Sequence, residues 1–130
     1  MRAHVLWVDE DASRSMLRRM SLVNAGFVVL NASCETRAVE LLKAHRVDVV
    51  CVDSHSVDPG KPREFGNIKS VTPHIPLVLI HDDGAIPARL EQYADVVIDE
   101  PDPDSTTQRL IDVLEQAHFP FCVSRLDDVC

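Results

Sequence analysis

Short apolar runs of strand length alternate, five times over, with stretches in which apolar residues recur at helical spacing. That rhythm predicts βαβ units, a parallel sheet covered by helices on both faces. The first strand is His4–Val8, and the helix after it spans 13–25. Met16, Leu17, Met20 and Val23 share one face of that helix, Arg14, Arg18 and Arg19 lie on its polar face, and Gly26 stops it. A second strand over 27–30 leads to a helix over 35–45, with Ser33 as its cap and Ala38, Leu41 and Leu42 pointing inward. The run Val-Asp-Val-Val-Cys-Val at 47–52 is apolar on both faces, as a central parallel strand must be, and its carboxyl end delivers Asp53.

After a loop rich in Ser, Asp, Pro and Gly, a short helix over 63–70 is broken before Pro73. Leu77–Ile80 forms the fourth strand. A weaker helix follows over 85–93, since Pro87 suits only a first turn, and 95–98 is the fifth strand. The last helix begins near Ser105, capped by Asp104 or Ser105, and carries Leu110, Ile111, Val113 and Leu114 to about residue 118. Residues 119–130 remain as a tail holding Phe119, Phe121, Val123 and Leu126, able to dock on the domain or on a partner, with no linker to a second domain.

Composition narrows the function. With 45% hydrophobic and 26% charged residues, 130 residues suffice for one ordinary core without staples. Cys34, Cys51, Cys122 and Cys130 form no CxxC pair and no zinc-ligand spacing, so idle thiols in a reducing cytoplasm are expected. No signal-peptide pattern opens the chain and no apolar run is long enough to span a bilayer. A net charge of -8 without a basic patch argues against nucleic acid and anionic membrane as partners, and leaves proteins.

Ligands of an open parallel sheet bind beyond the carboxyl ends of its strands. The residues there are Asp9, Glu10 and Asp11 after the first strand, Asp53 after the third, His81, Asp82 and Asp83 after the fourth, and Asp99 and Glu100 after the fifth. Such an oxygen set suits a hard divalent cation such as Mg²⁺, which takes one or two carboxylates and keeps several waters, with Glu10 and Asp53 the foremost ligands. The plainer reading makes these acids loop residues and helix caps, as Asp11 and Asp104 would be.

The run Val-Leu-Trp-Val-Asp9-Glu10-Asp11, followed by a helix and Gly26-Phe27, resembles the opening of response-regulator receiver domains. Val49-Val50-Cys51-Val52-Asp53 is similar to their phospho-acceptor strand, Pro76-Leu77-Val78-Leu79-Ile80 to their fourth strand, and Glu100-Pro101 falls where they carry Lys-Pro. The resemblance covers residues 3–118. It implies a flavodoxin-like (CheY-like) doubly wound sheet of five parallel strands in the order 2-1-3-4-5, with five helices. It also implies a two-component phosphorelay in which a histidine kinase donates a phosphoryl group to Asp53. Asp9 and Glu10 would be the acidic pair that holds Mg²⁺ together with Asp53, while a hydroxyl and a lysine contact the phosphoryl oxygens. Such a domain is no enzyme beyond its own phosphorylation and dephosphorylation. The implied partners are the kinase or another signalling protein, and a second copy through the face of the fourth helix, fifth strand and fifth helix, where Arg89, Gln92, Tyr93 and Arg109 fall.

The departures touch the chemistry. His81 stands at the hydroxyl position, Glu100 at the lysine position, and Val97 near the aromatic that reports phosphorylation; Ser56-Val57 replaces a Met-Pro step. Asp9, Glu10, Asp53 and Glu100 against one Mg²⁺ leave a charge of minus two. A like pair about 4 Å apart costs on the order of 4 kcal/mol at an effective dielectric of 20, if Glu100 faces inward. Glu100 turned to solvent or protonated, or a protonated His81, would relieve this. The expectation is an atypical receiver, weakly phosphorylated or not at all, that works by presenting a surface and binds Mg²⁺ less well than the family. Two rivals share the architecture: a metal-dependent phosphate-ester hydrolase, and a nucleotide or flavin binder. The first lacks a GxSxG frame around Ser54 and Ser56; the second lacks any glycine-rich phosphate loop, with four glycines in all.

Overall fold

The computed structural model describes residues 2–56, 62–81, 92–99 and 102–117, with side chains from 65 onward in the second of these stretches. Its elements are β1 (His4–Val8), α1 (Met16–Asn24), β2 (Val28–Ala32), α2 (Glu35–Ala44), β3 (Val49–Asp53), a 3-10 turn (Ser54–Ser56), α3 (Pro62–Val71), β4 (Leu77–Ile80), β5 (Val96–Ile98) and α4 (Pro103–Gln116). The strands form one parallel sheet in the order β2-β1-β3-β4-β5, as expected. The helix expected over 85–93 lies almost wholly outside the described residues, and its last two positions, Gln92 and Tyr93, form a turn. The 119–130 tail lies outside them too.

All five residues of β3 and all four of β4 are buried, because strands inside a doubly wound sheet are covered on both faces. Side chains alternate between two apolar clusters. Val5, Trp7, Cys51, Val78 and Ile80 pack with Leu22 of α1 and Leu110, Ile111 and Leu114 of α4. Leu6, Val8, Val50, Val52 and Leu79 pack on the other face with Leu41 and Leu42 of α2 and Phe65 and Ile68 of α3. Burial pushes the Cys51 thiol pKa up, which keeps it a neutral, inert part of the core.

Two helix ends differ from expectation. The N-cap of α2 is Cys34, with extended backbone and no side-chain cap bond, rather than Ser33. The cap of α4 is Asp102, whose carboxylate accepts from the Ser105 backbone N–H at 3.0 Å; Pro103 occupies the first turn, where a missing N–H is harmless. Gly26 does end α1, at φ 104, its N–H reaching back to the Val23 carbonyl.

The larger difference is the rotation of α1. Met16, Leu17, Met20 and Val23, the apparent apolar face, are 50–64% exposed, while Leu22 and Arg18 are buried. The helix starts at Met16, with 12–15 in a preceding turn, and meets α4 along a polar seam. Arg18 Nε donates to Thr106 Oγ1 at 3.3 Å, Ser21 Oγ donates to Asp104 at 2.8 Å, and the Ser21 and Thr107 hydroxyls pair at 2.8 Å. The long Arg18 stem fills space as an apolar residue would, and its head finds a hydroxyl.

At the β5 side, the Phe65 and Tyr93 rings meet edge to face with centroids 6.3 Å apart. Tyr93 lies so close to α3 that a Cβ at Gly66 would sit 2.9 Å from its ring. No described helix is long and apolar enough to cross a membrane.

The rotation of α1 sets a contrast measurable by denaturant unfolding. Leu22→Ala should destabilise by about 2–5 kcal/mol, the cost of a core cavity. Leu17→Gln, one turn away on the exposed side, should stay within about 0.5 kcal/mol of the parent.

Candidate functional site

Parallel pairing brings every strand's carboxyl end to the same edge of the sheet. Val8 pairs with Val52, so Asp9 and Asp53 follow side by side; Asp53 itself pairs with Ile80, so His81 comes level with Ser54. Asp9 (5% exposed), Asp53 (5%) and His81 (6%) are buried at this edge, whereas Glu10 is exposed. Asp99 is exposed beyond β5, and Glu100, like Asp82 and Asp83, lies outside the described residues.

Each acid is fixed by its own loop. The Asp9 carboxylate accepts the Asp11 backbone N–H at 2.9 Å, and Asp53 Oδ1 accepts that of His55 at 2.8 Å. Both are i to i+2 turns that Asp favours because its side chain replaces a backbone acceptor. Asp11 repeats the device, taking the Ser13 N–H at 3.1 Å and its hydroxyl at 2.6 Å, and the Ser13 hydroxyl holds the Asp11 carboxyl below the usual range. His81 is tied at both ends: its N–H donates to the Ile98 carbonyl at 2.9 Å, and Nδ1 lies 3.0 Å from Ser54 Oγ.

Burial pushes the Asp53 pKa up, the His55 N–H opposes this, and the negative charge of Asp9 adds to the rise. Two basic side chains approach Asp53. Arg14 Nη1 lies 4.0 Å from Asp53 Oδ1, and His55 Nδ1 lies 3.8 Å from the same atom. Arg14 is also 3.7 Å from Asp11.

The structure therefore brings Asp9, Asp53 and His81 to one place and leaves Glu10 at the rim. Among the described residues no three His, Cys, Asp or Glu side chains gather as a metal-ligand set. Asp9 and Asp53, two buried carboxylates side by side, the first of which makes ionisation of the second costlier, are nonetheless a donor pair that a hard cation satisfies, water supplying the remaining positions. Sequence reasoning missed two parts. Arg14 was placed on the polar face of a helix, but it sits in the turn before α1 and leans over Asp53. Ser54, which enters the sequence reading only with the hydrolase alternative, makes its contact across to β4's end, at His81.

A carboxyl whose folded pKa lies above its unfolded value contributes stability while protonated, and that contribution is lost as pH rises through the folded pKa. Asp53→Asn keeps an acceptor for the His55 N–H but cannot ionise. It should melt higher than the parent at pH 7, and the gain should shrink to nothing below the ordinary Asp value of 3.8 in melts run across pH.

No protein-family model matches the chain. Over 119 residues, 88% of its length, it is 29% identical to the transcriptional regulatory protein GlrR of Escherichia coli K12, and equally to QseF of Escherichia coli O157:H7. The chain spans 27% of those regulators. Among solved structures it superposes on a CheY-like response regulator receiver domain protein from Methanospirillum hungatei with a TM-score of 0.77 at 14% identity, covering 91% of this chain and 98% of the other. It superposes on the signal receiver domain of an HD domain-containing protein from Pseudomonas fluorescens with a TM-score of 0.75 at 22% identity, covering 91% and 98%. With its strand order and these likenesses, the chain has the fold of response-regulator receiver domains and is similar in sequence to the regulators GlrR and QseF over most of its length.

Proposed function

We infer that Asp53 is the phospho-acceptor of this receiver and that it accepts slowly, the domain acting chiefly through contacts with other proteins. The observation that carries this is the placement of Asp53, buried at the carboxyl end of the central strand with Asp9 beside it in register. A carboxylate held by its own turn is aimed without further reorganisation, which is most of what phosphoryl transfer asks of a protein. Asp9 and Asp53 would hold Mg²⁺, with Glu10 on the same loop as the third member of the set. Bound there, the ion would neutralise charge on the phosphoryl oxygens. A carboxylate at position 100, where receivers carry lysine, would add negative charge beside Asp9 and Asp53 and lower affinity for Mg²⁺.

Partner contacts find support in exposed surface. The stripe Met16, Leu17, Met20 and Val23 on α1 is apolar and uncovered in the isolated chain. A histidine kinase or another signalling protein is the partner class that a receiver implies. A homodimer face over 85–93, β5 and α4 would include Tyr93 and Arg109, with Arg89 outside the described residues. We place the domain at 1–118 with 119–130 as a tail, in the cytoplasm, where such kinases present their phosphoryl groups.

Incubation with acetyl phosphate and Mg²⁺, read by intact mass, should give a slow, sub-stoichiometric phosphoryl increment that Asp53→Ala abolishes. Rapid stoichiometric labelling would overturn the weak-acceptor reading. Glu100→Lys should raise the labelling rate about tenfold or more by exchanging repulsion for attraction; an unchanged rate would mean that this side chain does not face the acceptor.

A further inference from the structure

We propose that Arg14 supplies positive charge to the phosphoryl group at Asp53, from the turn before α1 rather than from the end of β5. The proposal rests on the reading of Asp53 as acceptor and goes beyond it, since it assigns the oxygen-binding cation to a different loop.

The geometry is that of a guanidinium already aimed. Arg14 stands between two carboxylates, 4.0 Å from Asp53 Oδ1 and 3.7 Å from Asp11, on a turn closed by its own N–H to the Asp11 carbonyl at 3.1 Å. Asp11 is in turn held by Ser13 through two hydrogen bonds, so the tether of Arg14 is itself tethered. The Arg14 side chain is 34% exposed, so a ligand arriving from solvent can reach it. Arginine presents several N–H donors in a planar fork that matches phosphate oxygens, and it stays charged at any working pH.

The transfer strengthens this contact. Asp53 Oδ attacks phosphorus, a new P–O bond forms, the bond from phosphorus to the leaving group breaks, and its electron pair departs with acetate or the donor imidazole. Arg14 keeps its proton throughout. The carboxylate with one negative charge becomes an acyl phosphate with up to two, so the guanidinium gains attraction as the reaction proceeds. Differential stabilisation of that kind accelerates the step, whereas equal attraction to both states would not. An approach distance of 4.0 Å to the bare carboxylate is close enough for the fork to meet the larger group without moving its backbone.

Acetyl phosphate labelling of the full chain with Mg²⁺ tests the assignment. Arg14→Gln and Arg14→Met should each label about tenfold more slowly or worse, and Arg14→Lys, which keeps the charge but loses the fork, should fall between them and the parent. Thermal melts of the three variants should match the parent, because a one-third exposed side chain in a turn contributes little to the core. A second readout needs neither metal nor phosphoryl donor: in the metal-free chain, the Arg14 side-chain N–H resonances should shift in Asp53→Ala. Labelling of folded Arg14→Gln at the parent rate would overturn the inference and leave Asp53 as acceptor, as would resonances that ignore Asp53→Ala. Absence of any Asp53-dependent label in the parent chain would overturn the acceptor reading and the inference with it.

Discussion

The site depends on register. Asp53 is the last residue of a strand buried on both faces, and the pairing of Val8 with Val52 alone sets it beside Asp9. Side chains on a strand alternate with a period of two, so a slip of one residue would turn Asp53 toward the opposite layer and carry Val52 to the edge. Either layer is packed mainly with apolar side chains, where an ionised carboxylate is costly to bury. The apolar run of β3 therefore does two things at once. It fills both cores, and it delivers one acid to an edge where a turn N–H and an arginine meet it.

At that edge, electrostatic tension is spread rather than removed. Burial and the neighbouring Asp9 make ionisation of Asp53 costly, and the compensation arrives as several small contributions: a backbone N–H two residues on, an imidazole, and a guanidinium from the first loop. None of these is a tight ion pair. A loosely compensated carboxylate remains nucleophilic, where a bidentate clamp would hold it too firmly to react. The Ser54–His81 contact closes the side toward β4 and fixes the imidazole.

Much of this was legible in the chain. Runs of Val, Ile and Leu bounded by turn residues identified all five strands, most plainly β3 and β4, where burial on both faces leaves no polar alternation to confuse the pattern. The acids at the strand ends followed from the topology, and Asp9 and Asp53 meet as expected. Helix rotation was not legible. Met16, Leu17, Met20 and Val23 form a convincing stripe, yet α1 buries Leu22 and the Arg18 stem, since tertiary contacts with α4 through Ser21, Thr106 and Thr107 outweigh the helix's own apolar pattern. The same rotation, with a turn at 12–15 in place of a first helical turn, directs Arg14 at the site. Spacing in one dimension cannot report that, because the reach of a long side chain depends on where its helix starts. Position 102 outcompeted 104 and 105 as a cap for a similar local reason: Pro103 fits only the first turn, which moves the boundary back.

The contact between Gly66 and Tyr93 has its own consequence for how substitutions spread. Alanine is ordinarily the better helix former by about 1 kcal/mol, so a bare backbone at mid-helix is a sacrifice of local preference. What it secures is a seat: the aromatic ring rests on main chain instead of on a methyl group, with Phe65 against its edge. Any side chain installed at 66 would unseat that ring, and the disturbance would be felt first at the entry to β5 rather than in the helix that was altered.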